Sequence, residues 1–156
     1  MNKQKAIEFA KKHHKGQFRK FNKEPYINHC IRVAEDTQSW STDIDPGILY
    51  IVGLCHDLLE DTDVIYYELE SEFSEVVADS VNLLTRQNWQ TYYDFLRYIV
   101  RDAPFMTADK EISKIACYVK LSDLKDNISD LEEGSLRDKY RLAERFILDR
   151  LEERGE

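Results

Sequence analysis

The 156-residue chain is short of the residues that shape turns: it has 5 glycines and 3 prolines, well under the roughly 12% usual for the two together. Sandwiches and barrels of β-strands need those residues at their many turns, so the shortage favours helices. No apolar run approaches the roughly 20 residues required to span a bilayer. The longest, Gly47 to Cys55, has nine, so no membrane association is expected. The opening MNKQKAIEFAKKHH lacks the apolar stretch of a signal peptide. Cys30, Cys55 and Cys117 are odd in number and widely spaced, with no Cys-x-x-Cys pair, which suits reduced thiols in the cytoplasm. Basic charge is also scarce. Against 30 acidic residues stand 22 Lys and Arg, a net charge of −8. A nucleic-acid polymer is therefore not the expected partner, because a binding surface for it would have to be basic. What is present suffices for a core: 42% of residues are hydrophobic and 12% aromatic, which excludes global disorder. The length, with no repeat, low-complexity tract or linker, implies one domain over 1–156.

The few bases are not evenly spread. Residues 11–23, KKHHKGQFRKFNK, hold Lys11, Lys12, Lys15, Arg19, Lys20 and Lys23 and no acid. The remaining chain carries 16 bases against 30 acids, a balance of −14. The island reads in two ways: a solvated helix end complementing the macrodipole, or an anion site for a phosphorylated small molecule. The acidic remainder would repel a long polyanion but tolerate a short one.

The periodicity predicts an all-α bundle of about seven to nine helices and no convincing strand. A first helix fits 3–13, with Ala6, Ile7, Phe9 and Ala10 on one face. Pro25 suits the first turn of a second, in which Ile27, Ile31 and Ala34 recur. Asp45-Pro46 opens a third, expected to run to about Leu59 and, being apolar nearly all round, to lie buried at the centre. Ser74 and Thr91 can cap two more. A long helix fits about 108–130 with Ile112, Ile115, Ala116, Val119 and Leu121 inward, and Ser135 with Asp138 resembles a capping box for the last.

The chemistry concentrates where the third helix ends, at Cys55-His56-Asp57-Leu58-Leu59-Glu60-Asp61. On a continuing helix His56 would share a face with Glu60, and Asp57 with Asp61. Ionisable groups beside the most apolar segment are costly unless something pairs with them. A divalent cation is one such partner, since imidazole and carboxylate together suit Mn²⁺, Fe²⁺ or Zn²⁺. The other reading leaves the acids in an exposed loop and His56 as a satisfied core residue. His29, on the apolar face of the second helix, and Asp123, inward on the long helix one turn before Asn127, add weight to the metal. One ion could serve His29, His56, Asp57 and Asp123 together.

These segments resemble the HD-domain phosphohydrolase superfamily, and within it the hydrolase domain of the RelA/SpoT family and its stand-alone small alarmone hydrolases. The matching stretches are His14-Lys15-Gly16-Gln17-Phe18-Arg19-Lys20, Pro25-Tyr26-Ile27-Asn28-His29, His56-Asp57-Leu58-Leu59-Glu60-Asp61-Thr62, and Val119-Lys120-Leu121-Ser122-Asp123 with Asn127. They run in order across about residues 5–146. The resemblance implies an all-α HD-domain bundle with a Mn²⁺ site made by His29, His56, Asp57 and Asp123. It implies that Glu60 and Asp61 handle the nucleophilic water, that Arg19 and Lys20 hold a guanine nucleotide, and that Asn127 and Tyr140 line its pocket. His14 matches a family histidine that is not a ligand. Two departures stand out: Cys30 follows the ligand histidine where Pro is usual, and the loop after Arg19-Lys20 reads FNKEPY rather than a Gly-containing form. The implied activity is removal of the 3′-pyrophosphate from guanosine tetra- or pentaphosphate, giving GDP or GTP. The alternatives are an HD phosphohydrolase of another nucleotide or phosphate ester, and a non-catalytic nucleotide-binding regulator.

Overall fold

The structure, a computed structural model, describes residues 2–101 and 109–155. Nine helices follow one another in this part: α1 (Lys3–His13), α2 (Tyr26–Gln38), α3 (Pro46–Cys55), α4 (Leu58–Asp61), α5 (Tyr66–Glu72), α6 (Glu75–Leu84), α7 (Tyr92–Ile99), α8 (Lys110–Ser129) and α9 (Ser135–Arg154). Among the described residues the only strand-like pairing is an isolated bridge between Phe18 and Pro25. None of these helices is long and apolar enough to cross a membrane.

The helix starts are set by short polar side chains, as the sequence implies. Asp45 accepts from the Gly47 amide with Pro46 in the first turn, and Ser74 and Thr91 cap α6 and α7. Three details differ from expectation. Pro25 is the residue before α2 rather than within it. Gly134 occupies the cap position of α9, so Ser135 is its first helical residue and no side-chain cap forms. The long helix starts at Lys110 behind Asp109, and the anticipated start at 108 lies outside the described residues.

The third helix shows the most consequential difference. It stops at Cys55, and one further turn, α4, begins at Leu58. In a continuous helix the Gly53 carbonyl would accept from the Asp57 amide. Instead it accepts from His56 Nδ1 at 2.8 Å, and Asp57 adopts φ −101°, ψ 1°. The helix is ended by the side chain that sits at its end.

Buried on every side from Leu49 to Cys55, α3 packs most extensively against α2 and also against α1, α6 and α8. Close approach to α2 depends on Gly53, where an added Cβ would lie 2.9 Å from Ala34 Cα. Helix α8 packs on α2, α3, α6, α7 and α9, burying Ile115, Ala116, Val119, Leu121 and Leu124. The result holds His29 on α2, His56-Asp57 after α3 and Asp123 on α8 side by side.

Candidate active site

His29 and His56 are buried with ring centroids 5.2 Å apart. His56 Nε2 lies 2.8 Å from Asp57 Oδ2 and 3.6 Å from Asp123 Oδ1; His29 Nε2 lies 3.8 Å and 3.3 Å from the same two oxygens. One ligand atom from each of His29, His56 and Asp57 falls within 4.8 Å of the others. Asp123 reaches this group through its contacts to both imidazoles. All four residues singled out in the sequence for a metal are thus brought together, from three segments.

Their outward atoms are fixed from behind. His29 Nδ1 donates to Asp126 Oδ2 at 2.6 Å, and Asp126 also receives the Arg32 guanidinium. His56 Nδ1 donates to the Gly53 carbonyl. With Nδ1 taken up as a donor, Nε2 is in each ring the nitrogen left facing the carboxylates, open to a metal once its own proton has gone. Both Nε2 atoms are buried and neither makes a hydrogen bond. Tyr26 donates to Asp57 Oδ2 at 2.6 Å, while Lys120 and Asn127 hold Asp123. Burial opposes charge on His56, but Asp57 and Asp123 outweigh it and lift its pKa to about 10. Burial would raise Asp57, yet the neighbouring His56 holds its carboxyl well below the usual carboxylate range. Such a centre draws positive charge, and two orphaned nitrogens with two carboxylate oxygens are the donor set of a divalent transition metal. These residues fit a metal ion.

Glu60 and Asp61, both exposed, stand one turn further on in α4. Glu60 Oε2 accepts from the Arg86 amide at 3.2 Å. Although the residue is exposed as a whole, partial desolvation of its carboxyl, with repulsion from Asp57 and Glu60, raises the Asp61 pKa to about 6, close to where a general base works best. Its backbone is anchored by the N-terminal loop: Gln17 Nε2 donates to the Asp61 carbonyl at 2.7 Å, and His14 Nδ1 donates to Gln17 Oε1 at 2.6 Å. Gly16, at φ +82°, gives this loop its turn.

A cavity of about 310 Å³ opens over the centre, its lining including His56, Asp57, Glu60, Asp61, Asp123 and Lys120. A second, of about 190 Å³, is lined by Arg19, Lys20, Phe21, Leu131 and Leu136. Tyr26, Asn127 and Tyr140 line both. The four residues singled out as nucleotide contacts therefore meet at one hollow. Arg19, however, is not a surface base. It is buried, pairs with Asp130 at 2.6 Å and donates to Asn127 Oδ1 at 2.8 Å.

A family comparison matches the HD domain over residues 6–94. The chain belongs to the HD-domain family. Among its relatives, a guanosine-3′,5′-bis(diphosphate) 3′-pyrophosphohydrolase of Aquifex aeolicus is 36% identical over 128 residues, covering 82% of this chain and 17% of that protein. One of the same name from Xenopus tropicalis is 33% identical over 128 residues, covering 81% of this chain and 68% of that protein. A solved structure described as a metazoan ortholog of SpoT that hydrolyzes ppGpp superposes with a TM-score of 0.71 at 25% identity, covering 96% of this chain and 84% of that one. The chain spans less than a fifth of the bacterial relative and about two thirds of the frog one.

Several residues of this HD-domain site escaped sequence reasoning. Asp126 lies three residues after Asp123 on α8, an i, i+3 spacing that could have flagged it. Tyr26 and Lys120 stand inside the matching stretches, where nothing in their spacing marks them as partners of Asp57 and Asp123. Arg86, Tyr92 and Lys139 line the larger cavity with no motif to mark them.

Proposed function

We propose that this HD-domain protein is a Mn²⁺-dependent hydrolase that removes the 3′-pyrophosphate of guanosine tetra- or pentaphosphate. Water would attack the phosphorus bonded to O3′, and the O3′–P bond would break. GDP or GTP and pyrophosphate would leave, with O3′ taking up a proton. The observation that carries this reading is the pair of orphaned, buried Nε2 atoms facing two carboxylates beneath a hollow large enough for a nucleotide. The names borne by the relatives in frog and bacterium agree with it.

His29, His56, Asp57 and Asp123 would hold the ion. When bound it would lower the pKa of a water and neutralise charge on the phosphate. Asp61, with a pKa near the working range, would take a proton from the attacking water, with Glu60 beside it to orient that water. Lys20, Asn127 and Tyr140 would contact the nucleotide in the smaller cavity, where Phe21 and Leu136 offer apolar surface to a base. Arg19 uses three of its N–H groups on Asp130 and Asn127, leaving two for a ligand. Residues 1–156 would act as one unit, since helices from α1 to α9 share one core. The three cysteines, free and buried, suit a reducing cytoplasm.

The test is a nucleotide panel incubated with purified, Mn²⁺-loaded protein, its products resolved by chromatography. Release of pyrophosphate with GDP or GTP from the alarmones is expected. Turnover confined to other nucleotides would replace the substrate, and no turnover of any would leave a binding protein.

A further inference from the structure

The larger cavity has a second set of polar groups that the metal centre does not use. Tyr92, in the first turn of α7, has its phenol oxygen buried with no hydrogen-bond partner. Its ring packs beside Phe95 and Tyr140, and Lys139 Nζ from α9 sits 4.1 Å above the ring centroid. Lys120 and Arg86 are close enough for their charge to act on the phenol. Of these cations Lys120 is committed to Asp123 at 2.7 Å. Among the described residues, neither Lys139 nor the Arg86 guanidinium has a carboxylate within ion-pair distance. In a chain of net charge −8, two cations left unpaired beside an unsatisfied buried hydroxyl call for an anion. A buried donor without an acceptor is costly, and a phosphate group offers several acceptor oxygens and the matching charge.

We propose that Tyr92, Lys139 and Arg86 form a second anion subsite, which seats the terminal phosphate of a pyrophosphate group whose inner phosphate lies at the His–Asp centre. Naming that group the 3′-pyrophosphate of an alarmone rests on the function proposed above; the subsite itself does not. Its consequence is selection. A pyrophosphate engages both places, whereas a phosphate monoester engages one. Burial holds the phenol pKa up, so Tyr92 remains a donor across the working range.

The experiment is calorimetric titration of inorganic pyrophosphate and of orthophosphate into metal-loaded protein freed of excess metal. Tyr92→Phe keeps the ring packing, and Lys139→Met keeps the stem over the ring; matched melting curves check that both variants fold. The parent should bind pyrophosphate at least about tenfold more tightly than orthophosphate. Each variant should lose roughly tenfold to a hundredfold for pyrophosphate, the range of a charge-assisted hydrogen bond, and less than about twofold for orthophosphate. Lys139→Arg should retain the parent preference, and Lys12→Ala should change nothing. Parent-like pyrophosphate affinity in both variants, or equal loss for the two anions, would overturn the subsite. The substrate reading fails separately. If the parent turns over no alarmone yet pyrophosphate selectivity is present and is lost in the variants, the subsite stands and the alarmone falls. If alarmone turnover is robust and Tyr92→Phe and Lys139→Met keep the parent KM and pyrophosphate affinity, the reverse holds.

Discussion

The His–Asp centre and the basic island treat charge in opposite ways. At the centre every ionisable side chain is held from behind: His29 by Asp126, His56 by the Gly53 carbonyl, Asp57 by Tyr26, and Asp123 by both Lys120 and Asn127. In the island Lys11, Lys12, Lys15, Lys20 and Lys23 are exposed, and the one fixed base, Arg19, is fixed to Asp130. A cluster of like charges in sequence is therefore not by itself a set that cooperates in space. A charge becomes a site when its partners set its direction and leave one position open. Without such partners it contributes only attraction that salt screens.

The sharpest break of this contrast is His56→Ala. Elemental analysis should find the metal gone, and turnover should fall to background. Metal uptake by the parent should displace a proton, because without a cation the His56 pKa is lifted to about 10. The apparent affinity should therefore rise with pH, and calorimetry in buffers of different ionisation enthalpy would read the proton released.

Next comes Glu60→Gln, expected to retain metal and nucleotide while losing roughly 10²-fold in kcat as the water loses its orientation. The pH profile sharpens it. A base must be ionised to act, so activity should climb with pH through the Asp61 pKa of about 6, or lower where a bound cation adds positive charge. Removing the Glu60 charge, one of those that raise Asp61, should move the residual acid limb further down. An unmoved limb would assign that limb to another group.

Asp126→Asn tests the support behind His29. Weakening of metal affinity by about tenfold to a hundredfold is the usual cost of losing such a partner, measurable by competition with a chelator. Equal affinity would show that packing alone orients the ring.

Arg19→Ala separates anchoring from recognition. It would leave the Asn127 side-chain oxygen without this donor and Asp130 with only the Asn22 amide, at a cost of about 2 kcal/mol, or roughly 6 °C in melting temperature for a chain of this size. A melting curve identical to the parent would return Arg19 to the solvated island.

The smallest effects belong to the exposed lysines. Lys20→Ala, which borders the second cavity, should raise KM several-fold. Lys12→Ala should change it less than about twofold and only at low salt. If the two respond alike, the island acts as diffuse charge throughout.

Much of this arrangement was legible in the residues. Asp45-Pro46, Ser74 and Thr91 mark helix starts because their capping bonds are local. His29 and Asp123 stood out as polar residues on faces that periodicity assigns to the interior. The break after Cys55 was not legible, because helical propensity says nothing about a histidine ring competing for the Gly53 carbonyl. That break also cancels the shared-face argument for His56 with Glu60, although the groups still meet at one cavity. Asp126 hid among the polar residues at the end of α8, since a carboxylate paired with a buried imidazole looks in sequence like one facing water. Arg86, Tyr92 and Lys139 lie on a loop and two helices distant along the chain, and no spacing rule links them.

What the sequence determined by itself was therefore whatever acts within a turn or two of chain: the helical class, the caps, the buried character of α3, and which polar residues had to face inward. Tertiary structure alone decided which of those residues meet, how Gly53 lets α3 approach α2, that Arg19 turns to Asp130, and that a phenol from α7 comes to lie beneath a lysine from α9. The division has a physical cause. Capping and periodicity depend on bonds between residues three or four apart, whereas convergence depends on how whole helices pack, which the chain specifies only through the sum of its core contacts.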